Sequence, residues 1–191
     1  KSTLSTVLFS AWCIGKGPSD KILIAVGSPK LKASFAILIR RVLESPRFRS
    51  LFSVKIRKDS DGKLMFHTEE GGQFLIVSRG EGISGIRANI IIFDDLVGGA
   101  KESKSPAIRK QTWDYLTMDL LNREDKAQRV KVVGVGTRWH KDDVLCKLDD
   151  HPDFSHLLKI KFKAISDDGK ALWPERYSVE DLLKKKALMG S

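Results

Sequence analysis

The residues Ile90-Ile91-Ile92-Phe93-Asp94-Asp95 lead four apolar side chains straight into two carboxylates. An uninterrupted apolar run suits a strand covered on both faces, and ligands of such sheets gather at the strands' carboxyl ends. Two acids delivered there match the needs of a magnesium-nucleotide site. Asp94 would hold the metal's water shell, and Asp95 would face the terminal phosphate and orient or deprotonate an attacking water. Many nucleotide hydrolases carry Glu in the second place; Asp is shorter and requires the water to lie closer. A buried strand closed by a solvated acidic turn would show the same pattern, so other elements must decide.

Two further segments bear on the decision. Lys1-Ser2-Thr3 stands immediately before an apolar helical run, as the end of a phosphate-binding loop would. There the Lys reaches the β and γ phosphates, the Ser2 hydroxyl serves magnesium, and the helix N-terminus faces the anion. Gly136-Thr137-Arg138 closes another apolar strand, where the Thr137 hydroxyl could sense the terminal phosphate and Gly136 permits close backbone approach. Alone, these segments also read as a solvated Lys with a hydroxyl cap and as an ordinary strand-to-helix turn. A loop end combined with an acidic strand end is more specific than either part. Arg79 and Arg87 flank the approach to the acidic strand and could neutralise a transferring phosphoryl group, in their own subunit or a neighbour's; structural or DNA-facing roles are open for both. His67, His151 and His156 lack partners at zinc spacing.

These residues need a scaffold. Residues 4–14 are apolar on most sides and predict a buried helix, ended by Gly15-Lys16-Gly17-Pro18. Residues 22–26 read as a short buried strand, which Gly27-Ser28-Pro29 turns into a helix running to about Glu44. Between residues 47 and 77 the pattern predicts short antiparallel strands, with Asp59-Ser60-Asp61-Gly62 as a hairpin connector. An amphipathic helix is predicted over residues 105–121, a strand over 130–135, a helix over 142–148, a strand over 157–162, and a basic helix over 177–188 opening at Ser178. Strands alternating with helices make an α/β fold with a mostly parallel sheet.

The chain has 191 residues, enough for one sizeable domain. Thirty-four Lys and Arg against 24 Asp and Glu give a formal charge of +10, which favours a polyanionic partner. Cys13 and Cys146 each lie in an apolar segment and read as small core residues of a reduced, intracellular protein. No apolar run approaches the roughly 20 residues that span a bilayer, and no secretory signal is evident, so no membrane partner is expected. The chain begins with Lys1, from which residues upstream are expected.

Lys1-Ser2-Thr3-Leu4, then Ser84-Gly85-Ile86-Arg87-Ala88-Asn89 running into the acidic strand, then Gly136-Thr137-Arg138-Trp139-His140-Lys141-Asp142-Asp143, occur in that order. In this the chain resembles the large terminase subunit of tailed bacteriophages. The Gly-Thr-Arg-Trp-His segment with its paired acids is the most specific piece, and Leu172-Trp173-Pro174-Glu175-Arg176-Tyr177 extends the likeness over nearly the whole chain. The resemblance implies an additional-strand P-loop ATPase, a three-layer α/β sandwich over residues 1–176, with 177–191 beginning a linker to a C-terminal nuclease domain. It implies ATP and Mg2+ as cofactors and translocation of double-stranded DNA into a capsid. Other implied partners are a small terminase subunit, a portal ring, and further copies in a homo-oligomeric ring in the cytoplasm of the bacterial host. By the same resemblance Lys1, Ser2 and Thr3 end the Walker A loop, Ser2 and Asp94 serve the metal, and Asp95 is the catalytic acid of Walker B. Gly136, Thr137 and Arg138 form the coupling motif, and Arg87 is the candidate arginine finger. The first strand and most of the phosphate loop would lie upstream of Lys1.

Two other classes remain open from sequence. A metal-dependent nuclease could use Asp94 and Asp95 with Asp142 and Asp143. A basic DNA-binding module without catalysis would need only the charge.

Overall fold

The apolar run at Lys21–Val26 forms β1, whose last five residues are all buried. It lies at the centre of the sheet in the computed structural model, which describes residues 1–59, 62–123 and 130–189. Among the described residues the other strands are β2 (Met65–His67), β3 (Gln73–Ser78), β4 (Ile90–Asp94) and β5 (Lys131–Val135), in the order β2-β3-β1-β4-β5. β3, β1, β4 and β5 run parallel, and β2 alone is antiparallel. The register sets Val26 beside Ser78 and Asp94, and Asp94 beside Val135. Four strands therefore end on one edge, and whatever follows them is gathered there.

Both faces of the inner strands β1 and β4 are covered, whereas the outer strand β5 is largely exposed. On one face, Ile22, Ile24, Ile76, Ile90 and Ile92 share a core with residues of a π-helical turn (Thr3–Leu8), α1 (Phe9–Lys16), α2 (Pro29–Glu44) and α3 (Pro46–Leu51). The alternate residues Leu23, Ala25, Ile91 and Phe93 are equally buried outside that cluster. The buried side chains left to cover them include Tyr115, Leu116 and Leu120, in a π-helical segment (Tyr115–Leu120), and Val144 and Cys146. That segment continues α5 (Pro106–Asp114), which follows the short α4 (Ala100–Ser103); Val144 opens α6 (Val144–Asp150).

Local chemistry accounts for several boundaries. Ser28 accepts from the backbone N–H of Leu31 and Pro29 follows it, so α2 has both an N-cap and a preset first turn. Ser45 and Pro46 repeat that device at α3, a helix where short strands were predicted. The antiparallel pairing predicted in this region is present as β2 with β3, across a turn at Thr68–Gly72. Part of the Asp59-Ser60-Asp61-Gly62 connector lies outside the described residues.

The first helix is less buried than its composition predicts. Leu4, Leu8 and Trp12 are exposed and, with Val133 of β5, line an open apolar groove beside the sheet's outer strand. Both cysteines are buried and free.

The chain divides into two compact units, Lys1–Leu148 and Asp149–Ser191. In the second, Ser178 caps α7 (Val179–Met189) by accepting from Asp181 N–H, and Lys185 lies over the Tyr177 ring. The strand expected at 157–162 is irregular, with Leu158, Ile160 and Phe162 exposed. Alternation gives a segment one apolar edge, but a strand also needs a neighbouring ladder. Among the described residues no helix is long and apolar enough to cross a membrane.

Candidate active site

β4 carries Asp94 into the core, 1% exposed, at the edge where the parallel strands end. A buried carboxylate requires donors on its oxygens. Ser2 Oγ donates to Oδ1 at 3.1 Å, and Thr6 Oγ1 donates to Oδ2 at 2.5 Å. Both hydroxyls come from the start of the first helix, four residues apart and therefore on one face.

Asp95 turns the chain away from the sheet. Its φ of 44° is in the left-handed region, uncommon for a side chain other than Gly, Asn or Asp. Its N–H donates to Val135 O, and its Oδ1 accepts from Thr137 N–H at 2.9 Å and from Lys1 Nζ at 2.8 Å. Lys1 Nζ also donates to Thr137 Oγ1 at 2.8 Å. Residues 94 and 136 positions apart in sequence thus meet around one oxygen. Gly27 makes room for this turn: a Cβ there would lie 2.2 Å from the backbone oxygen of Asp95. We expect Gly27→Ala to destabilise the protein by about 1–3 kcal/mol through forced backbone displacement, measured as a lower urea midpoint; an unchanged midpoint would contradict this packing.

The segment after β5 is held from behind. Asp143, 2% exposed, accepts four backbone N–H groups: Trp139 and His140 on Oδ2, Leu145 and Cys146 on Oδ1. One carboxylate therefore ties the Gly136-Thr137-Arg138 turn to the first turn of α6. Burial pushes its pKa up, but the backbone N–H groups of Cys146, Trp139 and His140 outweigh that and hold it below the usual carboxylate range. The depressed folded-state pKa means the stability Asp143 contributes is complete above its unfolded pKa, roughly 4, and is lost as pH falls through the folded value. Asp143→Ala is expected to cost about 2 kcal/mol at neutral pH. The gap to wild type should narrow as unfolding is followed to more acidic pH; a gap independent of pH would contradict the assignment.

Arg138 is turned toward the same helix, its Nε and Nη2 at 3.0 and 2.6 Å from Cys146 Sγ. Thr3 is exposed at the start of the π-helical turn. Gly136 borders a cleft lined by Asp95, Thr137 and Asp143. Arg79 is a brace: its Nη1 donates to Leu96 O at 2.7 Å and Glu102 Oε2 at 2.8 Å, tying the ends of β3 and β4 to α4. That contact also holds the Glu102 carboxyl below its ordinary pKa.

Lys1, Ser2, Asp94, Asp95 and Thr137 are therefore brought together. Arg87 is not. It precedes β4 and bonds Asn122 O, at the opposite end of a strand about 13 Å long. The sequence reading also passed over Thr6 and the clamping role of Asp143. An Asp directly before the helical Val144 is a legible cap signal, whereas Thr6 is legible only as the hydroxyl four residues after Ser2.

The donor set at Asp94, one carboxylate and one movable hydroxyl, fits Mg2+, which keeps several waters and takes few protein oxygens. Among the described residues no group of three or more His, Cys, Asp or Glu is placed to hold a metal ion.

No family model matches the sequence, and no curated protein matches it. Among solved structures, the crystal structure of the HK97 bacteriophage large terminase matches with a TM-score of 0.52 at 17% identity, over 78% of this chain and 29% of that one. The chain thus spans less than a third of the protein it matches. Its α/β fold, a mixed and mostly parallel five-stranded sheet, is similar to that of part of a bacteriophage large terminase.

Proposed function

We propose that this chain is the ATP-hydrolysing motor domain of a phage terminase large subunit, using ATP and Mg2+ to move double-stranded DNA into a capsid. The observation that carries the reading is the convergence of Lys1, Ser2, Asp94, Asp95 and Thr137 at the carboxyl edge of the parallel sheet. That edge is where α/β sheets bind ligands. A phosphate loop with its glycines would join the sheet ahead of Lys1.

In this reading each contact has a task. The Lys1–Asp95 pair is about one-third exposed, 40% and 31% for the two side chains, and such pairs are worth only about 0–1 kcal/mol. An incoming polyphosphate can therefore draw Lys1 away at little cost, leaving Asp95 to accept a proton from, or orient, the attacking water. Ser2 and Asp94 would hold Mg2+, which when bound neutralises charge on the β and γ phosphates. Thr137 touches both Lys1 and Asp95 and would report phosphate occupancy to the turn that Asp143 anchors on α6. Arg87, distant from its own subunit's acids, would reach a phosphate only as a finger to a neighbouring subunit in a ring. The net charge of +10 suits contacts to DNA phosphates that are insensitive to sequence. A small terminase subunit, a portal ring and the host cytoplasm are part of the same proposal.

The nuclease reading is less well supported. Two-metal cleavage needs several converging carboxylates, and Asp143 gives both its oxygens to backbone N–H groups. The two readings separate in one assay on the protein with a phosphate loop ahead of Lys1. ATP and linear double-stranded DNA are supplied with Mg2+ or Mn2+, and both phosphate release and DNA length are followed. Phosphate release with intact DNA is expected; DNA cleavage without ATP consumption would overturn the proposal.

A further inference from the structure

We propose that Thr6 is a positioning residue for the metal-holding carboxylate: its hydroxyl fixes Asp94 Oδ2 so that Oδ1 alone faces Ser2 and Mg2+. The inference rests on the ATPase reading of the site and adds a residue to it.

The hydroxyls of the neighbouring helical residues show what Thr6 does differently. Ser5, Ser10, Ser103, Thr112 and Thr117 all donate to carbonyls of their own helical segments, three or four residues back. This is the usual local outlet for Ser and Thr in helices. Thr6 instead donates to a carboxylate 88 residues away. It is 0% exposed and lies in a π-helical turn, a form found mostly as short segments and frequently at functional sites. Its Cβ branch also restricts χ1, so the donor itself is stiffly held.

The two donors on Asp94 are not equivalent. Ser2 is partly exposed and sits beside Lys1, so it is free to exchange its bond to Oδ1 for a bond to magnesium. Thr6 is sealed in the core and gives its hydroxyl to Asp94 rather than to a carbonyl of its own helix. When Ser2 turns to the metal, Thr6 is the donor that keeps the buried carboxylate from rotating. Partners of this kind, one bond removed from the ion, typically alter metal affinity or activity about 10–100-fold when removed.

The test compares wild type, Thr6→Val, which keeps the branch and loses the hydroxyl, and Thr6→Ser, which keeps the hydroxyl. ATP hydrolysis by the protein with a phosphate loop ahead of Lys1 is titrated with Mg2+. For Thr6→Val we expect the half-saturating Mg2+ concentration to rise about tenfold or more, with kcat at saturating Mg2+ largely retained; Thr6→Ser should follow wild type. An unchanged Mg2+ requirement in Thr6→Val, or an equal defect in Thr6→Ser, would overturn the proposal, because a merely structural role moves stability and leaves the Mg2+ requirement alone. A separate arm does not depend on hydrolysis. Urea unfolding of Thr6→Val, Asp94→Ala and the double variant should show strong coupling, about fivefold or more in the unfolding constant, and additive effects would overturn the link. If wild type neither hydrolyses ATP nor responds to Mg2+, the ATPase reading fails, and with it the role of Thr6 toward the metal, while the coupling still decides whether Thr6 holds Asp94.

Discussion

Asp95→Asn is expected to lower ATP turnover by about 10²–10⁴-fold while leaving nucleotide binding nearly unchanged. Asn keeps the shape of Asp and an oxygen for the Thr137 N–H, and it tolerates the left-handed φ of 44° at this position. The substitution removes the Lys1 ion pair, but that pair is partly exposed and its loss should change stability by less than about 1 kcal/mol. What Asn cannot do is take up a proton. Single-turnover hydrolysis and nucleotide titration, measured side by side, separate the two effects. Turnover close to wild type would remove Asp95 from the chemistry and leave it as the anchor of the 136–138 turn.

Asp94→Ala should be more damaging and in a different manner. It removes a carboxylate 1% exposed and leaves the buried Thr6 hydroxyl without its partner, a loss of about 1–3 kcal/mol in stability. Turnover should fall below detection and should not recover at high Mg2+, because the acid that would hold the ion is gone. Nucleotide binding measured in a chelator should be much less affected than binding in Mg2+. Asp94→Asn, which preserves shape and an acceptor, guards against reading misfolding as lost catalysis and should lose turnover as well. Mg2+-dependent hydrolysis surviving in both variants would contradict the metal assignment.

Residues 22–26 and 130–135 match β1 and β5 to within a residue: β1 is buried on both faces, so its apolar run is unbroken, and β5, although largely exposed at the sheet's edge, carries a comparable apolar run. Their carboxyl-end residues were legible for the same reason, since the acids and the Gly-Thr-Arg turn begin where the apolar run stops. Pairing was harder to read. Nothing local to residues 73–78 marks them as a parallel neighbour of β1, because that ladder joins segments about fifty residues apart. α3 is six residues long, too short for a helical period to emerge, although Ser45 and Pro46 carry the cap signal. Residues 157–162 show the opposite failure, an alternation that forms no strand. Arg87 illustrates the importance of chain direction: residues preceding a strand lie at its amino end, away from the acids at its carboxyl end. Thr6 was hidden because a hydroxyl in an apolar helix ordinarily bonds its own backbone.

The most direct test of the central claim is ATP hydrolysis with and without double-stranded DNA, by the protein with a phosphate loop ahead of Lys1, with Asp94→Ala and Asp95→Asn alongside. The account requires hydrolysis that DNA stimulates and that both substitutions abolish. A folded protein that hydrolyses no ATP, or hydrolysis indifferent to both acids, would contradict it.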